Sequence, residues 1–78
     1  MMNNIATKYN NNKQVKELFR QQAKKKNLTM KEIAEKKNML PQQLNNKFNN
    51  KRLSFSDLKE LCDIIDTDIF IELKDKER

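Results

Sequence analysis

No glycine occurs anywhere in this 78-residue chain, and Pro41 is its one proline. Tight turns, and β-hairpins above all, draw on glycine for backbone angles that other residues reach only at a cost. A chain without it lacks the punctuation of an all-β fold, so helix dominates the reading. The same absence removes glycine-rich phosphate cradles from the possible chemistry. The length allows one domain at most, and so small a core often gains from a partner subunit.

Apolar spacing marks out four helices. In the first, at about 13–26, Val15, Leu18, Phe19 and Gln22 share a face with Ala23 beside them, the i, i+3, i+4, i+7 stripe of an amphipathic helix. Asn27 and Leu28 break that pattern. Thr29 then stands three residues before Glu32, the spacing of a capping box, and opens a second helix to about Lys37 with Ile33 and Ala34 turned inward. Asn38 ends it, because asparagine tolerates the left-handed backbone of a helix terminus. Met39 plugs the turn, and Pro41 suits the first position of a third helix, at about 41–49, which buries Leu44 and Phe48. A basic loop leads to a fourth helix, for which Ser56 is the expected N-cap, with Lys59 in place of an acid at the box position. Its inward stripe is Leu58, Leu61, Cys62 and Ile65, and Phe55 is expected to pack beneath its start. Residues 69–73 alternate like a half-buried strand, with Ile69, Ile71 and Leu73 on one face.

Charge divides the chain. Residues 8–52 hold thirteen Lys or Arg against three acids, whereas residues 53–78 hold four against eight. A basic front and an acidic rear suit a chain that meets a polyanion with one end only. There is no histidine, and Cys62 stands alone, so no disulfide, metal site or cofactor is expected and Cys62 has no redox role. The carboxylates are scattered and the hydroxyls lack a base, so no enzymatic activity and no small-molecule substrate are expected. No apolar run reaches membrane-spanning length, and the polar start does not read as a secretory signal, which points to the cytoplasm.

Two short helices joined by a tight turn, with a small Ala34 at their crossing, form the core of the functional reading. The outer side of the later helix is almost all amide: Gln42, Gln43, Asn45 and Asn46, with Lys47. Gln and Asn bond adenine bidentately in the major groove, and Lys reaches guanine or phosphate. Here the chain resembles the lambda-repressor-like (Cro/C1-type, xenobiotic-response-element) helix-turn-helix family, over roughly residues 15–65. The strongest stretch is Leu-Thr-Met-Lys-Glu-Ile-Ala-Glu-Lys-Lys, followed by Pro-Gln-Gln-Leu-Asn-Asn-Lys-Phe. The chain departs from the family's pattern at three positions. Lys37 stands where a leucine is usual, Asn38 replaces the turn glycine, and Leu40 replaces the small polar cap of the third helix.

That resemblance implies a mainly α, compact four-helix bundle, a homodimer that binds double-stranded DNA and regulates transcription. Gln42, Gln43 and Asn46 would read bases. Thr29, Met30, Lys31, Lys47, Lys51 and Arg52 would hold the DNA backbone. Three units are expected: a flexible, Asn-rich arm over 1–12, a DNA-binding domain over 13–67, and a tail over 68–78. Ile69, Phe70, Ile71 and Leu73 would form a strand that pairs with its twin across a two-fold axis, because a lone edge strand leaves its backbone unpaired; the alternative is that 69–73 packs back on the first and fourth helices. The overall expectation is a repressor of phage- or plasmid-like type on an inverted-repeat operator. The alternative is a protein of the same fold that binds another protein, as an anti-repressor or inhibitor, and does not read DNA. RNA binding lacks the aromatic stacking platform it needs.

Overall fold

The computed structural model describes residues 5–50 and 53–77. Four helices follow one another: α1 (Asn12–Lys25), α2 (Met30–Lys36), α3 (Pro41–Asn49) and α4 (Phe55–Ile64). Helix α3 packs on α1 and α2, and α2 also packs on α4. No helix among the described residues is long and apolar enough to cross a membrane.

Each helix buries most of the stripe its spacing dictates, though Leu18, expected on the inner face of the first helix, is only half-buried and stands outside the core. Phe19 and Ala23 of α1, Ile33 and Ala34 of α2, Leu44 and Phe48 of α3, and Leu61 and Cys62 of α4 meet in one core with Ile65. Phe19 and Phe48 join α1 to α3 by a tilted ring contact, centroids 5.1 Å apart. Ala34 is fully buried, as a small residue at a close helix crossing must be. Val15, Met39 and Leu58 pack on this core while partly exposed, so Met39 covers the turn rather than being sealed within it.

Three of the helices stop without glycine, and they stop in the same way. Asn27, Asn38 and Asp66 have φ of 59°, 58° and 52°. After each, the chain folds back in a Schellman arrangement: Leu28 N–H donates to the Ala23 carbonyl, Met39 to Ala34, and Thr67 to Cys62, at 2.8–2.9 Å. Asn38 is as expected from the sequence. Asn27 and Asp66 make the same stop at positions where the residue pattern alone suggested only a break or nothing at all.

Three starts are closed by reciprocal caps. Asn11 Oδ1 accepts from Lys13 N–H while Gln14 Oε1 accepts from Asn11 N–H, so α1 begins within the residues assigned to the arm. Thr29 and Glu32 form the expected box on α2. On α4 the expectation is corrected. The cap is Ser54, not Ser56, and Asp57 is its box partner. An acid at that position favours the positive end of the helix, whereas Lys59 would oppose it. Phe55 becomes the first residue of α4 and is 73% exposed, so it does not pack beneath the helix.

The tail is corrected as well. Among the described residues there is no strand, and 67–77 has no regular structure. Ile69 packs against the core, but Phe70, Ile71 and Leu73 are 88%, 67% and 95% exposed. A strand is defined by a partner's hydrogen bonds, and alternation by itself supplies none. Thr67 fastens the tail's beginning to α1: Gln22 Nε2 donates to its hydroxyl at 3.0 Å.

Candidate nucleic-acid interface

The turn between α2 and α3 fixes the direction in which α3 leaves the core. Lys37 donates to the carboxylate of Glu60 on α4, so the residue in a usual leucine position keeps its stem half-buried and its charge paired. From the left-handed Asn38, Met39 and the extended Leu40 lead to Pro41. Leu40 offers no side-chain cap, but the start of α3 is served in another way. Gln43 Oε1 accepts from the Leu40 N–H at 2.8 Å.

Helical geometry then sorts the side chains of α3, since successive residues turn by about 100°. With Leu44 and Phe48 fully buried, Asn46 faces directly away from the core with Gln42 close beside it, Gln43 and Asn49 stand to either side of that line, and Asn45 lies on one flank, opposite Lys47. All five are exposed. The three expected base-reading residues are thus not equivalent. Gln42 and Asn46 face outward with both ends of their amides available. Gln43 has its carbonyl end engaged by its own helix and keeps the NH2 for other partners. Asn49 was not singled out from sequence, though it falls one turn beyond Asn46 and Asn45 on the same amide-bearing surface. Counting the helical repeat past the end of the assumed reading face would have found it.

The expected backbone contacts divide similarly. Thr29 and Lys31 are exposed at the entrance of α2, and Met30 rests its side chain against the core. The Thr29 hydroxyl is occupied, accepting from Glu32 N–H at 3.1 Å and donating to Glu32 Oε1 at 3.0 Å. Lys47 is paired across the bundle, its Nζ 3.2 Å from Asp57 Oδ1, both side chains about two-thirds covered (33% and 32% exposed). The Lys47 ammonium, followed by the Ser54 N–H and hydroxyl, holds the Asp57 carboxyl below the ordinary carboxylate range. Lys51 and Arg52 lie outside the described residues.

The surface formed by α4 and the tail has a different character. A shallow groove between α4 and the tail is lined by Phe55, Lys59, Glu60, Ile69 and Ile71, and Lys59 is held by Asp63 at 2.7 Å. Burial pushes the Cys62 thiol up to about 11, which keeps it protonated at neutral pH. Among the described residues no group of three or more His, Cys, Asp or Glu side chains stands where it could hold a metal ion.

A short helix docked on a core by two residues, with an uncharged amide surface facing solvent, can donate to and accept from base edges in a major groove. The family model for the Cro/C1-type HTH DNA-binding domain matches residues 19–70, from the middle of α1 to the beginning of the tail. Searches of curated proteins and of solved structures found no match. The match takes in the turn at Asn38, the docked α3 and the cap of α4 together, and the chain belongs to the Cro/C1-type helix-turn-helix DNA-binding family.

Proposed function

We propose that the chain is a sequence-specific transcriptional regulator, a repressor that acts as a homodimer on an inverted-repeat operator with α3 in the major groove. The observation that carries this reading is the sorting of α3: Leu44 and Phe48 take up its whole inner side, which leaves Asn46 and Gln42 outermost with Gln43 and Asn49 to either side of them. Gln43 contributes its free NH2. Thr29, Met30 and Lys31 at the entrance of α2, with Lys51 and Arg52, supply contacts to the DNA backbone, while Lys47, expected to join them, is held by Asp57. Repression requires only that a bound protein occupy a promoter, and a small reading domain is sufficient for that. No catalysis is part of this reading, and its place of action is the cytoplasm.

The homodimer draws on the tail. Phe70, Ile71 and Leu73 are large apolar groups left in water, and Ile69 anchors their base to the core. A twin that covers them would remove that exposure and fix two reading helices at one separation, roughly 34 Å or a multiple of it. The acidic residues of that end, Asp63, Asp66, Asp68 and Glu72, would then lie away from phosphate.

The test is a mobility-shift titration of the full chain against DNA from upstream of its own gene and a matched random duplex, repeated across salt concentrations. Preference for the upstream DNA is expected, with a steep loss of affinity on both duplexes as salt rises, since each neutralised phosphate releases counterions. Equal binding to the two duplexes, or a response flat in salt, would overturn the reading.

A further inference from the structure

The reading surface of α3 carries no available cation. Lys47 is the one charged residue between Pro41 and Asn49. It leaves the helix on the flank nearest α4, where its Nζ meets Asp57 Oδ1 at 3.2 Å. Asp57 is itself fixed, because its Oδ2 accepts from the Ser54 N–H at 3.3 Å and its own N–H donates to Ser54 Oγ at 3.0 Å. The carboxylate that holds Lys47 is therefore part of the cap of α4 and cannot follow the lysine into a groove without opening that cap.

What remains outermost is amide. An amide offers a donor and an acceptor side by side, which matches the adenine edge of N6–H2 and N7. Guanine presents two acceptors, N7 and O6, and calls for two donors, the role of arginine or lysine. We infer that α3 selects A·T base pairs, reading adenine through Gln42, Asn46 and Asn49, and that Asp57 sets this preference by withholding Lys47 from guanine. Gln43, with its carbonyl engaged by Leu40, can offer a base only the donors of its NH2 and lacks the acceptor that adenine N6–H2 calls for. The inference rests on the DNA-binding reading, and it adds the class of operator to it.

The experiment selects sites for the full chain from a random-sequence duplex library. The purines of the selected site are then replaced one at a time by 7-deazaadenine or 7-deazaguanine, which lose the N7 acceptor and nothing else. Half-sites with A·T pairs under α3 are expected. A change from A·T to G·C at such a pair should weaken binding roughly five- to 150-fold, and 7-deazaadenine should weaken it several-fold. Gln42→Ala and Asn46→Ala identify which pairs lie under α3, because discrimination should vanish there. If 7-deazaguanine does the damage at those pairs, the inference falls while DNA binding stands. If the library yields no enriched sequence, the DNA-binding reading falls, and the inference with it. Asp57→Asn examines the withheld lysine separately. It should raise the salt slope by about one counterion and relax the rejection of G·C. A variant that stays folded by circular dichroism with slope and preference unchanged would remove Asp57 from the mechanism.

Discussion

Replacing asparagine by alanine is expected to move stability in opposite directions at two exposed positions, Asn38 and Asn45. Asn38 is held at φ 58° by two hydrogen bonds, from its own N–H to the Glu35 carbonyl at 3.1 Å and from Met39 N–H to the Ala34 carbonyl at 2.8 Å. Alanine can keep both bonds only by remaining left-handed. There its Cβ crowds the carbonyl at a cost on the order of 1–2 kcal/mol, part of which asparagine escapes through its short polar side chain. Asn38→Ala should therefore lose about 1 kcal/mol. Asn45 lies in the regular interior of α3, exposed to water, where alanine is the better helix former by about 0.5 kcal/mol. The two variants should differ by about 1.5 kcal/mol, or roughly 6–12 °C in Tm for a domain of this size. Asn38→Gly should stay near the parent, since the relief of crowding is offset by the greater freedom of glycine in the unfolded chain. Thermal and urea unfolding followed by circular dichroism, at one protein concentration, measure all three. If Asn38→Ala is as stable as the parent, or if both alanine variants shift the same way, the left-handed stop is not what closes α2.

The buried Cys62 thiol, raised to about 11, should resist alkylation at mildly alkaline pH in the folded chain and react fully once urea unfolds it; rapid labelling without denaturant would contradict its place in the core. Ending the chain after Ile69 keeps the core contact of that residue and removes Phe70, Ile71 and Leu73, so sedimentation should find a dimer in the full chain and a folded monomer in the shorter one. A full-length monomer, or a shortened dimer, would take the tail out of the assembly.

Most of what positions α3 was legible in the residues. Thr29 with Glu32, Asn38 at the turn, small Ala34 and the pair Leu44 and Phe48 each express a local rule, and the local rules agree with one another. The errors arise where local pattern needs a tertiary decision. Ser54 and Ser56 are both competent caps, and the acid three residues beyond Ser54 decides between them; that signal was in the sequence, whereas the exposure of Phe55 that follows from it was not. The Asn11 and Gln14 box has the spacing of a helix start, but it sits among asparagines whose composition suggests an arm. Alternation over 69–73 describes a strand only if something pairs with it, and within one chain Ile69 finds the core while its neighbours find nothing. The roles of Gln43 and Lys47 were the least legible. Both look like free polar groups on a helix, yet one closes the end of its own helix and the other answers a carboxylate that is distant in sequence until α4 folds beside it.

The amide surface of α3 exists only because the rest of the chain holds the helix. A helix of nine residues, about 13 Å long, does not persist by itself in water, and asparagine is among the weaker helix formers. Its register is set from within by Phe48 against Phe19 and by the fully buried Leu44. Its first turn is closed by Gln43 on Leu40, and its exit is tied to α1, where Asn12 Nδ2 donates to the Asn50 carbonyl at 2.8 Å. Lys47 adds a lateral stay to α4. These contacts come from α1, from α4 and from both ends of α3, so rotation or sliding of the helix would break several of them at once. Bidentate recognition depends on that restraint, since an amide turned away from the base plane loses one of its two bonds. The side chains that would meet DNA are thus the least constrained residues of α3, and they are mounted on its most constrained ones. A small domain can read a base sequence on these terms without a large core, provided that the few buried residues it has all bear on the one helix whose direction matters.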